Sequence, residues 1–335
     1  MLPFYSLMFP DLKEIFTGLH FFMSCTISTL SYDTTELFAF SKKNRFHHMK
    51  IEQPVTTSID IGEAEIPYLL YENPGPSIVM THATGFQPWQ WHPIARSLSR
   101  QYQVIAPYFC THREPDPTQK SISWIQLAED LTIFCDRLGI KNPYLVGHSM
   151  GATLATIATA KFGLKARKMV LIEPIFLPHE AYTIHIGIEE HPLASKSIKR
   201  RNGWQTNKEA EIYLRSKKMF QQWDDEAIQL YIEHGMVLNE DHCLNLTCPP
   251  SNEAGLFLGG GELDPWPLLP EISCPVMVVE GENSENKLFI DLKKAAAGFL
   301  NGHYTEIKGA GHLIPMEKPK EVYKTIHTFL NSEES

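Results

Sequence analysis

The stretch Val146-Gly147-His148-Ser149-Met150-Gly151 places a serine between two glycines, where an apolar run ends and a run of small residues begins. Residues 144–146 predict a short buried strand, and residues 152–158 predict a helix with little side-chain bulk. A serine at such a sharp strand-to-helix turn projects its hydroxyl out of the backbone, and the glycines allow a strained turn and a close crossing of helix and strand. The pattern therefore predicts Ser149 as a nucleophile. It also predicts that the Met150 amide, at a helix N-terminus, faces developing negative charge.

The composition is typical of a soluble globular protein that can bury a large core, with 335 residues, 43% of them hydrophobic and 21% charged. A net charge of −9 argues against a nucleic-acid partner, because phosphate binding needs a clustered cationic face. One local group of cations is predicted to form a solvated helix face: Lys196, Lys199, Arg200 and Arg201. Six dispersed cysteines without a C-x-x-C pair suit a reducing compartment, so we expect a cytoplasmic protein. The fifteen histidines form no H-E-x-x-H cluster, and no metal is predicted.

The first fifty residues do not follow the pattern of the rest of the chain. The apolar run over residues 15–27 is preceded by charged residues and interrupted by His20, so it is too short and too mixed to span a membrane. We predict that residues 1–50 are a poorly ordered N-terminal extension and that the protein does not insert stably into a membrane.

Strand and helix patterns alternate from residue 51 onward, with one long interruption. The strands are continuous apolar runs, which predicts an α/β fold with a mostly parallel, eight-stranded sheet covered by helices on both faces. Residues 175–269 break the alternation, and they are too long for a plain connection between two strands. We therefore predict that residues 51–174 and 270–335 form the core and that residues 175–269 form an inserted helical cap.

A serine hydroxyl is a weak nucleophile until a base takes its proton, so a histidine must lie nearby in space. The best candidate is His312 in Gly309-Ala310-Gly311-His312-Leu313-Ile314-Pro315, because it follows the last predicted strand and two glycines can direct its ring. His148 is expected to have a packing role. The sequence thus predicts a nucleophile and base in the chain order serine first, histidine last.

An oxyanion hole needs backbone amides aimed at the position where charge develops. The loop Thr81-His82-Ala83-Thr84-Gly85-Phe86 follows the third predicted strand, and we expect the amide of Thr84 (Ala83 as the alternative) to act together with that of Met150. His82 is expected to brace this loop. The side chains that could line a substrate pocket are His82, Phe86, Trp89 and Trp91.

These three segments together resemble the α/β-hydrolase superfamily, specifically its lid-bearing group of esterases, lipases, C–C bond hydrolases and cofactor-free haloperoxidases. The resemblance rests on the H-A-T-G-F loop, the G-H-S-M-G turn and the G-A-G-H-L-I-P-M-E-K-P segment, and it covers nearly all of residues 60–331. It implies the α/β-hydrolase fold and a serine nucleophile without a cofactor. It does not identify the substrate.

The resemblance also implies a third catalytic residue, an acid, at one of two positions. Relatives commonly carry an aspartate shortly after the glycine that follows the penultimate strand, but this chain has Ser284 there. A second arrangement in the superfamily places the acid at the end of the strand after the serine helix, where this chain has Glu173. We favour Glu173, with Glu282, Glu285 and Asp264 as alternatives.

The sequence therefore predicts a serine hydrolase that cleaves a carboxylic ester with an apolar acyl or aryl group, through a triad of Ser149, His312 and Glu173. C–C bond hydrolysis, thioesterase or lactonase activity on the same triad stays open, as does a ligand-binding protein with little turnover. We expect a small-molecule substrate, no cofactor, and a monomer or homodimer.

Overall fold

The computed structural model of the protein describes residues 53–333. The predicted extension over residues 1–50 lies outside the described residues.

An eight-stranded sheet forms the centre of the fold. Its strands are, in chain order, β1 Val55–Asp60, β2 Glu65–Tyr71, β3 Ser77–Thr81, β4 Gln103–Pro107, β5 Tyr144–His148, β6 Lys168–Ile172, β9 Val276–Gly281 and β10 Gly302–Ile307. Only β2 runs against its neighbours, since it pairs antiparallel with β1 and β4 while the remaining pairs are parallel. This confirms the predicted mostly parallel sheet. Across the sheet the strands lie in the order β1-β2-β4-β3-β5-β6-β9-β10.

Helices cover both faces of the sheet, as the continuous apolar strands require. Every residue of β5 and β6 is buried. Neighbouring residues of one strand contribute to different cores: Leu145 belongs to one apolar cluster and Val146 to the other. The α-helices of the described chain are α1 His92–Leu98, α2 Trp124–Arg137, α3 Met150–Lys161, α4 Ala194–Ser197, α5 Asn207–Arg215, α6 Asp225–His234, α7 Pro250–Gly259, α8 Leu292–Gly298, α9 Ile314–Glu317 and α10 Pro319–Leu330. In residues 53–333 no helix has the length and apolar character needed to cross a membrane.

Local sequence signals set the ends of these helices. Ser123 caps α2 by accepting a hydrogen bond from the amide of Gln126 at 3.2 Å, an interaction worth about 1 kcal/mol. A 3₁₀ turn, Pro88–Trp91, directly precedes α1. The side chain of Gln87 accepts from the Trp89 amide, and Pro88 occupies the first position of the turn, so the chain turns tightly before the α-helix starts.

The long segment between β6 and β9 contains helices α4 to α7 and also a small antiparallel pair, β7 Met236–Leu238 with β8 Leu244–Leu246. The prediction of a helical segment over residues 175–269 did not include these two strands. Asn239 explains the difference, because its side-chain oxygen accepts from the amides of Asp241 and Cys243 and so closes a turn between the two strands. Three-residue strands are too short for an alternating pattern to be recognised.

This segment contacts the sheet-forming part of the chain in two ways. Leu256 of α7 joins the core cluster that also contains α2 and α3, and the Trp124 indole donates to the Leu256 carbonyl oxygen at 2.7 Å. An aromatic cluster of the same segment, formed by Trp204, Phe220, Trp223 and Tyr231 with the apolar residues around them, packs instead on Phe86 and Leu313. The segment therefore covers the loops after β3 and β10.

Candidate active site

Ser149 lies at the turn between β5 and α3 in a backbone conformation that L-residues seldom adopt, with φ 54° and ψ −119°. The flanking glycines make this turn sterically feasible. A Cβ on Gly147 would lie 2.5 Å from the backbone nitrogen of Ala152, and a Cβ on Gly151 would lie 2.3 Å from the carbonyl oxygen of Thr81. Gly151 thus allows the start of α3 to approach the end of β3 closely.

His312 lies beside this serine, since its Nε2 is 3.1 Å from Ser149 Oγ. Two contacts fix the loop that carries the ring. The carboxylate of Glu317 accepts from the Gly311 amide at 2.6 Å, and the His148 ring donates from Nε2 to the His312 carbonyl oxygen at 2.9 Å. His148 therefore holds the backbone of the predicted base.

Glu173 follows β6 directly and is fully buried, with a positive φ of 49°. Its Oε2 lies 3.0 Å from Nδ1 of His312, and its Oε1 accepts from the Gly281 amide at 2.7 Å. With the ring proton on Nδ1, His312 donates to Glu173 and its Nε2 accepts from the Ser149 hydroxyl. The structure thus brings together the three residues favoured as a triad.

The alternative acids have other partners. Asp264 pairs with His179 and accepts from the Trp266 amide. Glu282 accepts from the Gly309 amide at 2.8 Å, and Glu285 forms an exposed ion pair with Lys218.

Two further side chains, of Ser284 and Asn286, contact Glu173 and His312, and neither was predicted from the sequence to have a role. The Ser284 hydroxyl donates to Glu173 Oε2 at 2.7 Å, and the Asn286 side-chain amide lies 3.0 Å from His312 Nδ1. The usual position of an acid at residue 284 was the signal that could have identified this contact. A serine at this position has no charge, but its hydroxyl can donate a hydrogen bond.

The loop after β3, which was predicted to supply an oxyanion-hole amide, lies against the start of α3, where a Cβ on Gly151 would meet the carbonyl oxygens of Thr81 and His82. Gly85 has a φ of +77°, and the Phe86 amide closes a turn by donating to Ala83. Within residues 53–333, no backbone or side-chain acceptor takes a hydrogen bond from the amide of Thr84 or of Met150. Both amides are thus free to bind an anion.

The His82 side chain holds that loop through hydrogen bonds at both of its ring nitrogens. Its Nδ1 donates to the Ala83 carbonyl oxygen at 2.9 Å, and its Nε2 accepts from the Phe109 amide at 2.9 Å. Burial lowers the pKa of His82 to about 4. The ring is therefore neutral at physiological pH, as the hydrogen bond accepted by Nε2 requires.

The predicted pocket aromatics lie in different surroundings. The Phe86 ring packs against Trp223 and is 8% exposed. Trp89 stacks on His234 with ring centroids 3.6 Å apart, and Trp91 is buried with its edge toward His148. Of these side chains, only Phe86 belongs to the aromatic cluster of the segment between β6 and β9.

One of the cations predicted to be solvated is instead half-buried near the same loop. Arg200 pairs with Glu253 at 2.7 Å, and its side chain is 20% exposed. Glu253 in turn packs against the loop, because a Cβ on Gly85 would lie 2.6 Å from its Oε1. The buried partner explains the error, since position in sequence alone does not show that a carboxylate lies opposite.

In the part of the chain that the structure describes, no group of three or more His, Cys, Asp or Glu side chains could hold a metal ion. That the protein works without a metal or cofactor stays a prediction.

Comparison with known proteins shows the family to which the chain is similar. The model of the alpha/beta hydrolase family matches residues 78–325. A Haemophilus influenzae protein named "Putative esterase/lipase" is 25% identical over 238 residues, covering 71% of this chain and 77% of that protein. The 2-(acetamidomethylene)succinate hydrolase of Mesorhizobium japonicum is 22% identical over 278 residues, covering 83% of this chain and 96% of that protein.

Solved structures show the same fold. The crystal structure of E-2-(acetamidomethylene)succinate hydrolase has a TM-score of 0.70 at 21% identity, covering 83% of this chain and all (100%) of that chain. A thermophilic esterase from Thermogutta terrifontis, with malate bound, has a TM-score of 0.60 at 21% identity, covering 83% of this chain and 98% of that chain. The family model spans most of the chain, and the sheet order and the strand-to-helix turn agree with it. This protein belongs to the alpha/beta hydrolase family.

Proposed function

We propose that this protein is a serine hydrolase that cleaves carboxylic esters through an acyl-enzyme. One observation carries the proposal: a continuous chain of hydrogen bonds runs from the Ser149 hydroxyl through both nitrogens of His312 to the buried carboxylate of Glu173. Such a chain activates a hydroxyl, because the imidazole takes its proton while the carboxylate stabilises the resulting cation.

In the proposed reaction His312 removes the proton of Ser149 as its oxygen attacks the ester carbonyl carbon. The amides of Met150 and Thr84 bind the oxyanion that forms. His312 then protonates the leaving alcohol, and the acyl group remains on the serine. Water activated by His312 attacks this acyl-enzyme and releases the acid. Glu173 orients the ring throughout and stabilises its cation.

We further propose that residues 175–269 act as a cap over this site and that its acyl pocket is apolar. The aromatic cluster of this segment reaches both sides of the serine. It contacts Ala83 and Phe86 in the oxyanion loop, and Leu313 and Met316 in the histidine loop. An acyl or aryl group between these loops would replace contacts with water by contacts with apolar side chains.

The names of the relatives are a reason to test related hydrolytic reactions as well. One relative's name includes esterase and lipase, another hydrolyses 2-(acetamidomethylene)succinate, and similar solved structures include a thioesterase domain and an enol-lactonase. Thioesters and lactones meet the same nucleophile and the same oxyanion hole, so they belong in the substrate panel beside simple esters.

The deciding experiment is labelling by a fluorophosphonate probe, with the modified peptide mapped by mass spectrometry. We expect a single adduct on Ser149, absent in Ser149→Ala, followed by turnover of esters with apolar acyl groups. Folded wild-type protein that takes no label and turns over no ester, thioester or lactone would instead support a ligand-binding role.

A further inference from the structure

We propose that Ser284 is a positioning residue of the triad, which holds the Glu173 carboxylate against His312 from the place where an acid could itself stand. This inference rests on the proposed function. It assigns a role to a residue that neither the motif nor the reaction identifies.

The geometry of one carboxylate oxygen carries the inference. Glu173 Oε2 contacts His312 Nδ1 at 3.0 Å and Ser284 Oγ at 2.7 Å. The other oxygen is held by the Gly281 amide. A carboxylate that accepts several donors at fixed directions cannot rotate away from the imidazole. Ser284 therefore controls the oxygen that the histidine uses.

The direction of the Ser284 proton is also set. The Asn286 amide donates to Ser284 Oγ at 3.3 Å, which occupies a lone pair of the hydroxyl and leaves its one proton for Glu173. Ser284 is buried, with 5% of its surface exposed, so water does not compete effectively for this bond.

Asn286 completes the arrangement on the ring side. Its side-chain amide is 3.0 Å from His312 Nδ1, and a half-turn of the amide presents its oxygen to the Nδ1 proton. The other titratable groups that surround Glu173 and His312 act over longer distances or on the backbone: His148, Glu280, Lys287, Tyr304 and Glu317.

A purely structural role for Ser284 predicts different behaviour. Ser284 is the N-cap of a short 3₁₀ turn, Glu285–Leu288, and an aspartate serves as well as a serine at that position. Ser284→Asp therefore preserves the cap, but its ionised side chain cannot donate to Glu173. The two roles are separated by this one variant.

The first measurements compare Ser284→Ala with Ser284→Thr, which keeps the hydroxyl. We expect kcat for an ester to fall about tenfold in Ser284→Ala with KM nearly unchanged, and to stay close to the wild-type value in Ser284→Thr. Unchanged kcat in a folded Ser284→Ala protein would overturn the proposal.

The second measurement places an acid at residue 284. In Ser284→Asp, two carboxyl groups share one proton at lower pH and repel each other once both are ionised, so the kcat profile should gain an alkaline limb. In the double variant Glu173→Gln/Ser284→Asp that limb should vanish, and kcat should exceed that of Glu173→Gln by at least about tenfold. A wild-type profile in Ser284→Asp, or an alkaline limb that persists in the double variant, would contradict a positioning role.

A readout independent of turnover separates this proposal from the proposed function. Wild-type protein that folds but takes no fluorophosphonate label and turns over no ester, thioester or lactone overturns the hydrolase proposal. The downfield proton signal of His312 Nδ1 in NMR still tests Ser284: retention in wild type and Ser284→Thr with loss in Ser284→Ala supports the positioning role, and retention in all three refutes it.

Discussion

The backbone amide of Ser149 donates a hydrogen bond to the carbonyl oxygen of Ile172 at 2.9 Å. This bond ties the turn that carries the proposed nucleophile to the end of β6. The next residue, Glu173, donates from its own amide to the Val279 carbonyl oxygen at 2.8 Å, so the end of β6 lies between the serine and β9. Side chains at the ends of β6 and β9 can therefore both approach the same imidazole.

Glu173→Gln should lower kcat for ester hydrolysis on the order of 10⁴-fold with little change in stability, because a neutral amide neither fixes the ring proton on Nδ1 nor stabilises the imidazolium. Steady-state kinetics and the rate of fluorophosphonate labelling measure this loss.

Asp264→Asn is the matched control for this prediction. Asp264 was an alternative acid, and it contacts His179 instead of His312. We expect kcat within about twofold of the wild-type value. A large loss in this variant together with an active Glu173→Gln protein would reverse the assignment.

Gly151→Ala should reduce both stability and activity. The added methyl group would meet the Thr81 carbonyl oxygen at 2.3 Å and the His82 carbonyl oxygen at 2.7 Å, and neither backbone atom can move without displacing the oxyanion loop. We expect a loss of about 1–3 kcal/mol in the free energy of unfolding and a lower kcat. Urea unfolding and ester kinetics provide the measurements.

Gly203→Ala supplies the comparison for that change. A Cβ on Gly203 would meet no heavy atom within 4 Å, so stability and turnover should both be preserved. Equal destabilisation by the two substitutions would show that the close approach at Gly151 is unimportant.

Trp223→Ala should destabilise the protein far more than Glu226→Gln, although both residues join the segment between β6 and β9 to the rest of the chain. Trp223 is 4% exposed and packs against Phe86, so its removal should cost about 3–5 kcal/mol. Glu226 pairs with Arg96, but their side chains are 36% and 29% exposed, and such pairs contribute at most about 1 kcal/mol. Paired denaturation curves test the ranking, which reverses if the ion pair is the main attachment.

Stability should fall as the pH drops from about 6.5 toward about 4, because buried histidines must gain protons on unfolding. Burial lowers the pKa of His82 and His92 to about 4 and that of His148 to about 3. The unfolded chain binds protons at an ordinary histidine pKa of about 6.5. The stability that comes from neutral, buried histidines is therefore fully present above that pH, and it is lost as the pH falls toward about 4. Each histidine contributes on the order of 2–3 kcal/mol. Burial raises the pKa of Glu317, which has the opposite effect on the pH dependence.

His92→Gln isolates one part of this pH dependence. The His92 ring contacts the Tyr71 hydroxyl at 2.7 Å, and a glutamine can keep a hydrogen bond there without titrating. The difference between urea midpoints at about pH 7.5 and about pH 5 should be smaller in the variant than in wild type. An equal or larger difference would show that His92 is not a source of the acid sensitivity.

The serine and the histidine could be predicted because each lies in a local motif whose geometry follows from its own glycines. Glu173 could be placed only by its position at a strand end. Residue 284 could be recognised only as the usual position of an acid, because the partner of Ser284 is a carboxylate 111 residues away in sequence. The β7–β8 pair was missed for a related reason, since Asn239 closes it through side-chain hydrogen bonds that no hydrophobic pattern reports. Local periodicity predicts elements, whereas contacts between distant residues decide their chemistry.

The positive φ angles of Ser149 and Glu173 have a consequence for the protein's durability. Each conformation costs about 1–3 kcal/mol, which a glycine would avoid. A Ser149→Gly protein should therefore outlast the wild type on heating while being inactive. Thermal stability and the proposed catalytic role therefore make opposite demands on the backbone at these two residues. Selection for heat resistance alone would favour loss of the proposed nucleophile.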